Sequence, residues 1–194
     1  MKIAVVKYNA GNVESVLHAI SRLGASPILT DDAATLKSAD RVLFPGVGEA
    51  KTCMQYLRER GLDKIILSLT QPVLGICLGL QLLSSHSEEN DTPCLGVFER
   101  KVKKFSGNAV KVPHMGWNQI SNLKGPLFQG VKEGSYVYFV HSYFLEVFDE
   151  TLATTCHGET FSASARKGNF YGVQFHPEKS AEVGEVILRN FLSL

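Results

Sequence analysis

Apolar residues in the first half of the chain alternate between two periods. Residues 3–6 form an unbroken apolar run of strand length, and Val13, Val16, Leu17, Ile20 and Leu23 then recur at helical spacing until Gly24 stops them. The pattern repeats. Residues 26–30 and 41–44 read as strands, the latter ending at Pro45-Gly46-Val47-Gly48; residues 52–60 read as a helix, and an apolar run from Pro72 reaches Cys77. Strands alternating with helices demand right-handed crossovers, hence a parallel sheet covered by helices on both faces. Functional residues of such sheets gather at the carboxyl ends of the strands, where Gly46, Gly48 and Cys77 all fall.

The second half is richer in strand-like runs, at 110–112, 136–143, 152–156, 161–165 and 171–175, with Lys167-Gly168-Asn169 as a turn between the last two. The expected fold is therefore α/β, three-layered, with a mostly parallel central sheet, helices on both faces and an antiparallel extension. Alternation across 136–143 puts Tyr136, Tyr138, Val140 and Ser142 on one face and Val137, Phe139, His141 and Tyr143 on the other, and one face must be buried. His141 reads as a structural histidine. Residues 113–118, which gather a His, the only Trp and an Asn around one Gly, read as a loop open to binding or to packing. The polar run 87–93 predicts a mobile loop, and Val183, Val186, Ile187, Asn190 and Phe191 predict a closing helix.

With 194 residues and 44% hydrophobic content, the chain suits one domain spanning 1–194 with a sizeable core. Twenty basic side chains against nineteen acidic ones leave a net charge of +1 without long runs of either sign. Nucleic-acid and anionic-membrane binding thus lack electrostatic support. The N-terminus is too polar for a signal peptide and no run approaches membrane-spanning length, so a soluble cytoplasmic protein is expected. Cys53, Cys77, Cys94 and Cys156 have no metal-ligand spacing and read as thiols; neither metal nor cofactor is expected.

Gly75-Ile76-Cys77-Leu78-Gly79 reads as a nucleophile elbow, in which a buried strand ends, a sharp turn exposes one side chain and a helix begins. The flanking glycines make room for the turn, and a helix N-terminus favours the thiolate that attacks carbonyls. An ordinary βα unit closed by a buried Gly and Cys fits the same run. Downstream, Pro177 holds His176 extended, so His176 and Glu178, two residues apart, project to the same side as a base and its orienter. Together with Cys77 they supply the residue types of a nucleophilic triad. Acyl transfer also needs donors for an oxyanion: Leu78 N–H follows the nucleophile, and the loop with Val47 and Gly48 offers a second, although a simple turn fits that loop equally. No Walker or dinucleotide-binding spacing surrounds these glycines.

The ordered set of Pro-Gly-Val-Gly at 45–48, the elbow extended through Leu80-Gln81 and His-Pro-Glu at 176–178 resembles the class I glutamine amidotransferase domain over the whole chain. Within that family, Tyr8 to Asn12, residues 113–118 and 138–143 and the extension to Lys179-Ser180 are most similar to glutaminase subunits of imidazole glycerol phosphate synthases. The resemblance implies that Cys77 attacks the carboxamide of glutamine, His176 protonates the departing ammonia and Glu178 holds the imidazole. It implies Gln81 and Glu89 as glutamine-binding side chains, and the Ser142 and Tyr143 backbone as contacts to the substrate carboxylate. It also implies a cyclase partner with a (β/α)₈ barrel, expected on a separate chain because the sequence ends at Leu194, with Asn12, Trp117, Tyr138 and Lys179 at the interface that ammonia crosses in histidine biosynthesis. Rival readings are a glutaminase serving another synthase and a free-standing cysteine hydrolase. Two residues depart from the family pattern: Asn9 stands where many relatives have Gly, and Glu49 where a small or apolar residue is commoner.

Overall fold

The computed structural model describes residues 1–107 and 110–194. In its first half the alternation of periods becomes β1 (Ile3–Val6), α1 (Val13–Arg22), β2 (Pro27–Thr30), α2 (Ala33–Ser38), β3 (Arg41–Gly46), α3 (Ala50–Glu59), α4 (Leu62–Leu67), β4 (Val73–Cys77) and α5 (Leu78–Leu82). α2 and α4 escaped the sequence reading because each spans only 6 residues, too few to display a helical period. After α5 the chain forms β5 (Ser84–Ser87), β6 (Thr92–Pro93), β7 (Phe98–Lys104), β8 (His114–Ile120), β9 (Ser135–His141), β10 (Tyr143–Leu145), β11 (Thr151–His157), β12 (Glu159–Lys167) and β13 (Phe170–Val173), then closes with α6 (Ala181–Leu192).

The central sheet has seven strands in the order β11-β12-β13-β4-β3-β1-β2. From β13 to β2 every pairing is parallel, while β11 and β12 extend the sheet antiparallel. Strands β1, β3 and β4 bury nearly every residue because both of their faces are covered. Ile3, Val5, Leu43, Leu74 and Ile76 pack toward α1 and α6, and Ala4, Val6, Val42, Phe44 and Val73 toward α2, α3, α4 and α5. This is the expected three-layer arrangement. Two smaller sheets complete it: β10-β7-β5-β6 and the ribbon β8-β9.

Three expectations need correction. Residues 110–112 are irregular, and the strand begins instead at His114, in the segment read as a loop. It is a strand because β8 pairs residue for residue with β9, which lets His114 and Ile120 face inward while Met115 and Trp117 face out. The run 136–143 is divided at Ser142, where the chain leaves β9 and joins β7 as β10. Its alternation is nonetheless as expected, with Val137, Phe139 and His141 buried. The polar run 87–93 is a bonded hairpin rather than a free loop: Ser87 pairs with Thr92, and Thr92 Oγ1 donates to Glu89 O at 2.6 Å. No helix among the described residues is long and apolar enough to cross a membrane.

Candidate active site

The buried strand β4 delivers Cys77 to the carboxyl edge of the sheet in a backbone conformation of φ 53°, ψ −106°. A non-glycine residue rarely occupies positive φ, and such strain clusters at functional sites. The sequence permits the turn because glycines stand two positions to either side. A Cβ on Gly79 would lie 1.8 Å from Phe44 O, and one on Gly75 would lie 2.8 Å from Leu80 N. The elbow is thus locked against β3 by backbone contacts that no larger residue could make.

β13 runs parallel beside β4, with Val173 opposite Ile76, so the chain that continues to His176 leaves the sheet at the same edge as Cys77. A 3-10 turn at Pro177–Lys179 then brings Glu178 back beneath the imidazole. Glu178 Oε1 lies 2.7 Å from His176 Nδ1, with both side chains essentially excluded from solvent. Nε2 remains, buried and without a hydrogen-bond partner. Burial opposes a charge on the His176 ring, but the neighbouring Cys77 sulfur and then Glu178 favour it more strongly, and the pKa is pushed up to about 10. The thiol itself rests 3.8 Å from Val140 O of β9 and 3.7 Å from Gln174 Nε2.

The chain therefore brings together the three side chains that the sequence singled out as nucleophile, base and orienter. It also adds a contact for one residue expected elsewhere and a residue the sequence reading passed over, Gln174. Asn12, expected at an interface, donates from Nδ2 to Glu178 Oε1 at 2.7 Å, from a left-handed conformation (φ 64°) at the start of α1. Gln174, fully buried, links Cys77 to Gln81, whose Nε2 lies 3.1 Å from Gln174 Oε1. No simple period marks it, because the chain bends at Gln174 and Phe175 and then enters the 3-10 turn, so Glu178 reaches the imidazole through that turn and not by the alternation of an extended segment that the sequence suggested. Ser180 Oγ donates to His176 O at 2.6 Å and accepts from Tyr138 N at 2.9 Å, while His176 N donates to Tyr138 O at 2.8 Å. The base is thereby stitched to β9 through its backbone.

A cleft of about 220 Å³ opens at Cys77. Val47, Gly48, Leu78, Gln81, Glu89, Pro113, Val140, His141, Ser142 and Tyr143 line it. All the residues expected at an oxyanion hole and at substrate contacts thus share one small cavity with Cys77. Some are already engaged. Gln81 Nε2 also donates to Tyr143 O at 2.8 Å, and Glu89 Oε2 accepts from Ala50 N at 2.7 Å, capping α3 from outside. Burial raises the Glu89 pKa, with the Ala50 amide opposing. Val47 O accepts from Gly11 N at 3.1 Å, and because a trans peptide aims N–H opposite to C=O, the Gly48 N–H points away from Gly11. The two departures from the family pattern bond to the surroundings of this loop: Asn9 Nδ2 donates to Thr52 O of α3, and Glu49 accepts from Thr52 and Asn90.

Two expected interface residues, Trp117 and Tyr138, pair directly across the β8-β9 ribbon with rings 6.1 Å apart, edge to face. Met115, Trp117 and Tyr136 are 63%, 52% and 55% exposed, an apolar face turned to solvent. Lys179, also exposed, lines a separate cavity of about 500 Å³ between α1 and α6, which holds no nucleophile. His141 is structural, as expected: Nδ1 meets Tyr143 O at 2.8 Å and Nε2 meets His114 Nδ1 at 3.0 Å. Among the described residues no cluster could hold a metal ion.

The sequence model of class-I glutamine amidotransferases matches residues 4–194. The chain belongs to that family. Amidotransferases similar to it over their entire length include the imidazole glycerol phosphate synthase subunits HisH of Bacteroides fragilis strain YCH46, at 55% identity, and of Bacteroides thetaiotaomicron, at 54%, each alignment covering 100% of both chains. This places the chain in the HisH branch of the amidotransferases. A solved glutamine amidotransferase, 20% identical, superimposes with a TM-score of 0.76 over 100% of this chain and 98% of its own, which speaks for the shared fold.

Proposed function

We propose that this amidotransferase is the glutaminase subunit of an imidazole glycerol phosphate synthase and works through Cys77, His176 and Glu178. The observation that carries the reading is the strained elbow itself, which sets the Cys77 sulfur against an imidazole whose other nitrogen is held by a buried carboxylate. Glutamine enters the cleft with its α-ammonium toward Glu89 and its α-carboxylate toward the Ser142 and Tyr143 amides. Because the His176 pKa lies well above neutrality, the ring already carries the proton from the thiol on Nε2 and the sulfur attacks the carboxamide carbon without a further proton transfer, while charge on the carbonyl oxygen is met by Leu78 N–H and the amides of Val47 and Gly48. As the C–N bond breaks, the imidazolium passes its proton to the departing nitrogen, releasing ammonia and leaving a thioester on Cys77. Water, activated by the now neutral ring, hydrolyses the thioester to glutamate and restores the thiol.

Free ammonia at neutral pH is mostly protonated and a poor nucleophile, so its use requires direct transfer to an acceptor site. The exposed face of β8-β9, together with Tyr138 and Lys179 beside the base, suits the docking of a cyclase subunit that consumes the ammonia in histidine biosynthesis in the cytoplasm. The Val47–Gly48 loop is the natural place for such a partner to control the rate, since loss of one oxyanion donor costs on the order of 10² to 10³ in rate.

The test is co-purification with the cyclase, followed by glutamine-dependent synthesis with and without its nucleotide ligand. Cys77→Ala is expected to abolish glutamine-dependent synthesis while ammonium salts still support it. A glutaminase rate that ignores the cyclase would instead favour a free-standing hydrolase.

A further inference from the structure

Tyr8 carries a hydroxyl that the fold buries and leaves without a hydrogen-bond partner. Buried polar groups are almost always paired, so an orphan needs an explanation. Its ring leans on Phe44 at 5.2 Å, and its hydroxyl is aimed at Gly46, where a Cβ would stand only 2.1 Å from Oη. Gly46 is therefore glycine because Tyr8 occupies the space of its side chain. Gly46 is also the last residue of β3, in register with Cys77, and begins the loop that offers the oxyanion donors.

The segment 8–11 faces this loop at two points. One is a completed bond, Gly11 N to Val47 O at 3.1 Å. The other is open, at Tyr8 Oη. Between them lies the Gly46–Val47 peptide, with glycine on one side and, beyond Val47, Gly48 at φ 132° on the other. Rotation of that peptide turns about ψ of Gly46 and φ of Val47, and glycine at 46 frees the first of these two hinges.

We infer that Tyr8 is a positioning residue, whose hydroxyl captures the Gly46 carbonyl when the Gly46–Val47 peptide rotates and turns Val47 N–H toward the nucleophile. The inference deepens the glutaminase reading and rests on it. Rotation of a trans peptide exchanges the directions of its C=O and N–H, so one hydrogen bond gained behind the loop fixes one donor aimed into the cleft. Burial, followed by the Cys53 and Cys77 sulfurs, raises the Tyr8 pKa well above its ordinary value, so the phenol stays a donor throughout the working range.

Tyr8→Phe removes only the oxygen. In the complex with cyclase and its nucleotide ligand, the expected result is a fall in kcat for glutamine hydrolysis of about tenfold, the weight of one hydrogen bond, with KM for glutamine within about twofold. The thermal midpoint of the free subunit should hold or rise, because the orphan is gone from the resting state, and ammonium-dependent synthesis should match wild type. A wild-type kcat in the variant overturns the inference, and so does a joint loss of midpoint, kcat and ammonium-dependent synthesis, which would assign the oxygen to a buried water and a packing role. A wild-type complex that releases no glutamate from glutamine overturns the glutaminase reading itself, and this inference with it.

Discussion

Glu178 receives two hydrogen bonds on one oxygen and none on the other, so each of the two matters. Asn12→Ala removes one donor from a buried carboxylate, and bonds to charged groups are worth about 1.5–3 kcal/mol. The expected outcome is a roughly tenfold fall in kcat for glutamine hydrolysis with cyclase bound, measured beside a modest drop in thermal midpoint. His176 gives a second test. Its folded-state pKa of about 10 exceeds the ordinary 6.5, so the ring adds stability that is complete below 6.5 and is lost as pH rises through about 10. Cys77→Ala removes the strongest influence that lifts it. The ring should then titrate at lower pH by NMR, and the alkaline loss of stability should shrink. At this scale the elbow at Cys77 and the His176–Glu178 pair could each be picked out from residue type and short local spacing, and the fold brings the imidazole and the carboxylate into contact. The Asn12 contact was not, because residues 12 and 178 meet only after the whole sheet has formed.

The β8-β9 ribbon shows what local patterning can and cannot tell. Alternation identified the buried side of β9, but β8 looked like a loop because Pro113, Gly116 and Asn118 are poor strand formers, and its partner strand overrides that preference. Inside the ribbon, His114 and His141 pack with the His157 ring, 4.2 Å from His114, against Phe105, Phe139 and Phe161. Burial lowers His114 to about 4 and His141 to about 3, with neighbouring histidines adding to both shifts and the Tyr143 carbonyl opposing the second. Depressed values mean that the neutral rings contribute stability above pH 6.5, and that this contribution is lost as pH falls through about 4 and about 3. Urea midpoints followed from pH 7 to 4 should therefore decline, and His114→Gln, which keeps a hydrogen-bonding side chain without the titration, should decline less steeply.

For the molecule as a whole, the alternation of periods in the first half was enough to predict a parallel sheet with its chemistry at the carboxyl edge. The strand order was not legible. β13 follows β4 by a long stretch of sequence yet sits beside it, and that adjacency carries His176 to the sheet edge where Cys77 stands. The exposed aromatic face was visible only as residue types until pairing put Trp117 and Tyr138 side by side. Trp117→Ala should weaken binding of the cyclase by about tenfold or more in a titration, as loss of a central aromatic anchor does, while the urea midpoint of the free subunit stays within error of wild type.

Cys77 and His176 lean on the same strand, the sulfur of one through Val140 O and the backbone N–H of the other through Tyr138 O. That strand's outward side is the one a docking subunit would press. A tilt of so short a beam moves both ends of the proton's path together, so contact on the outside can set the timing of chemistry on the inside without any signal crossing the core.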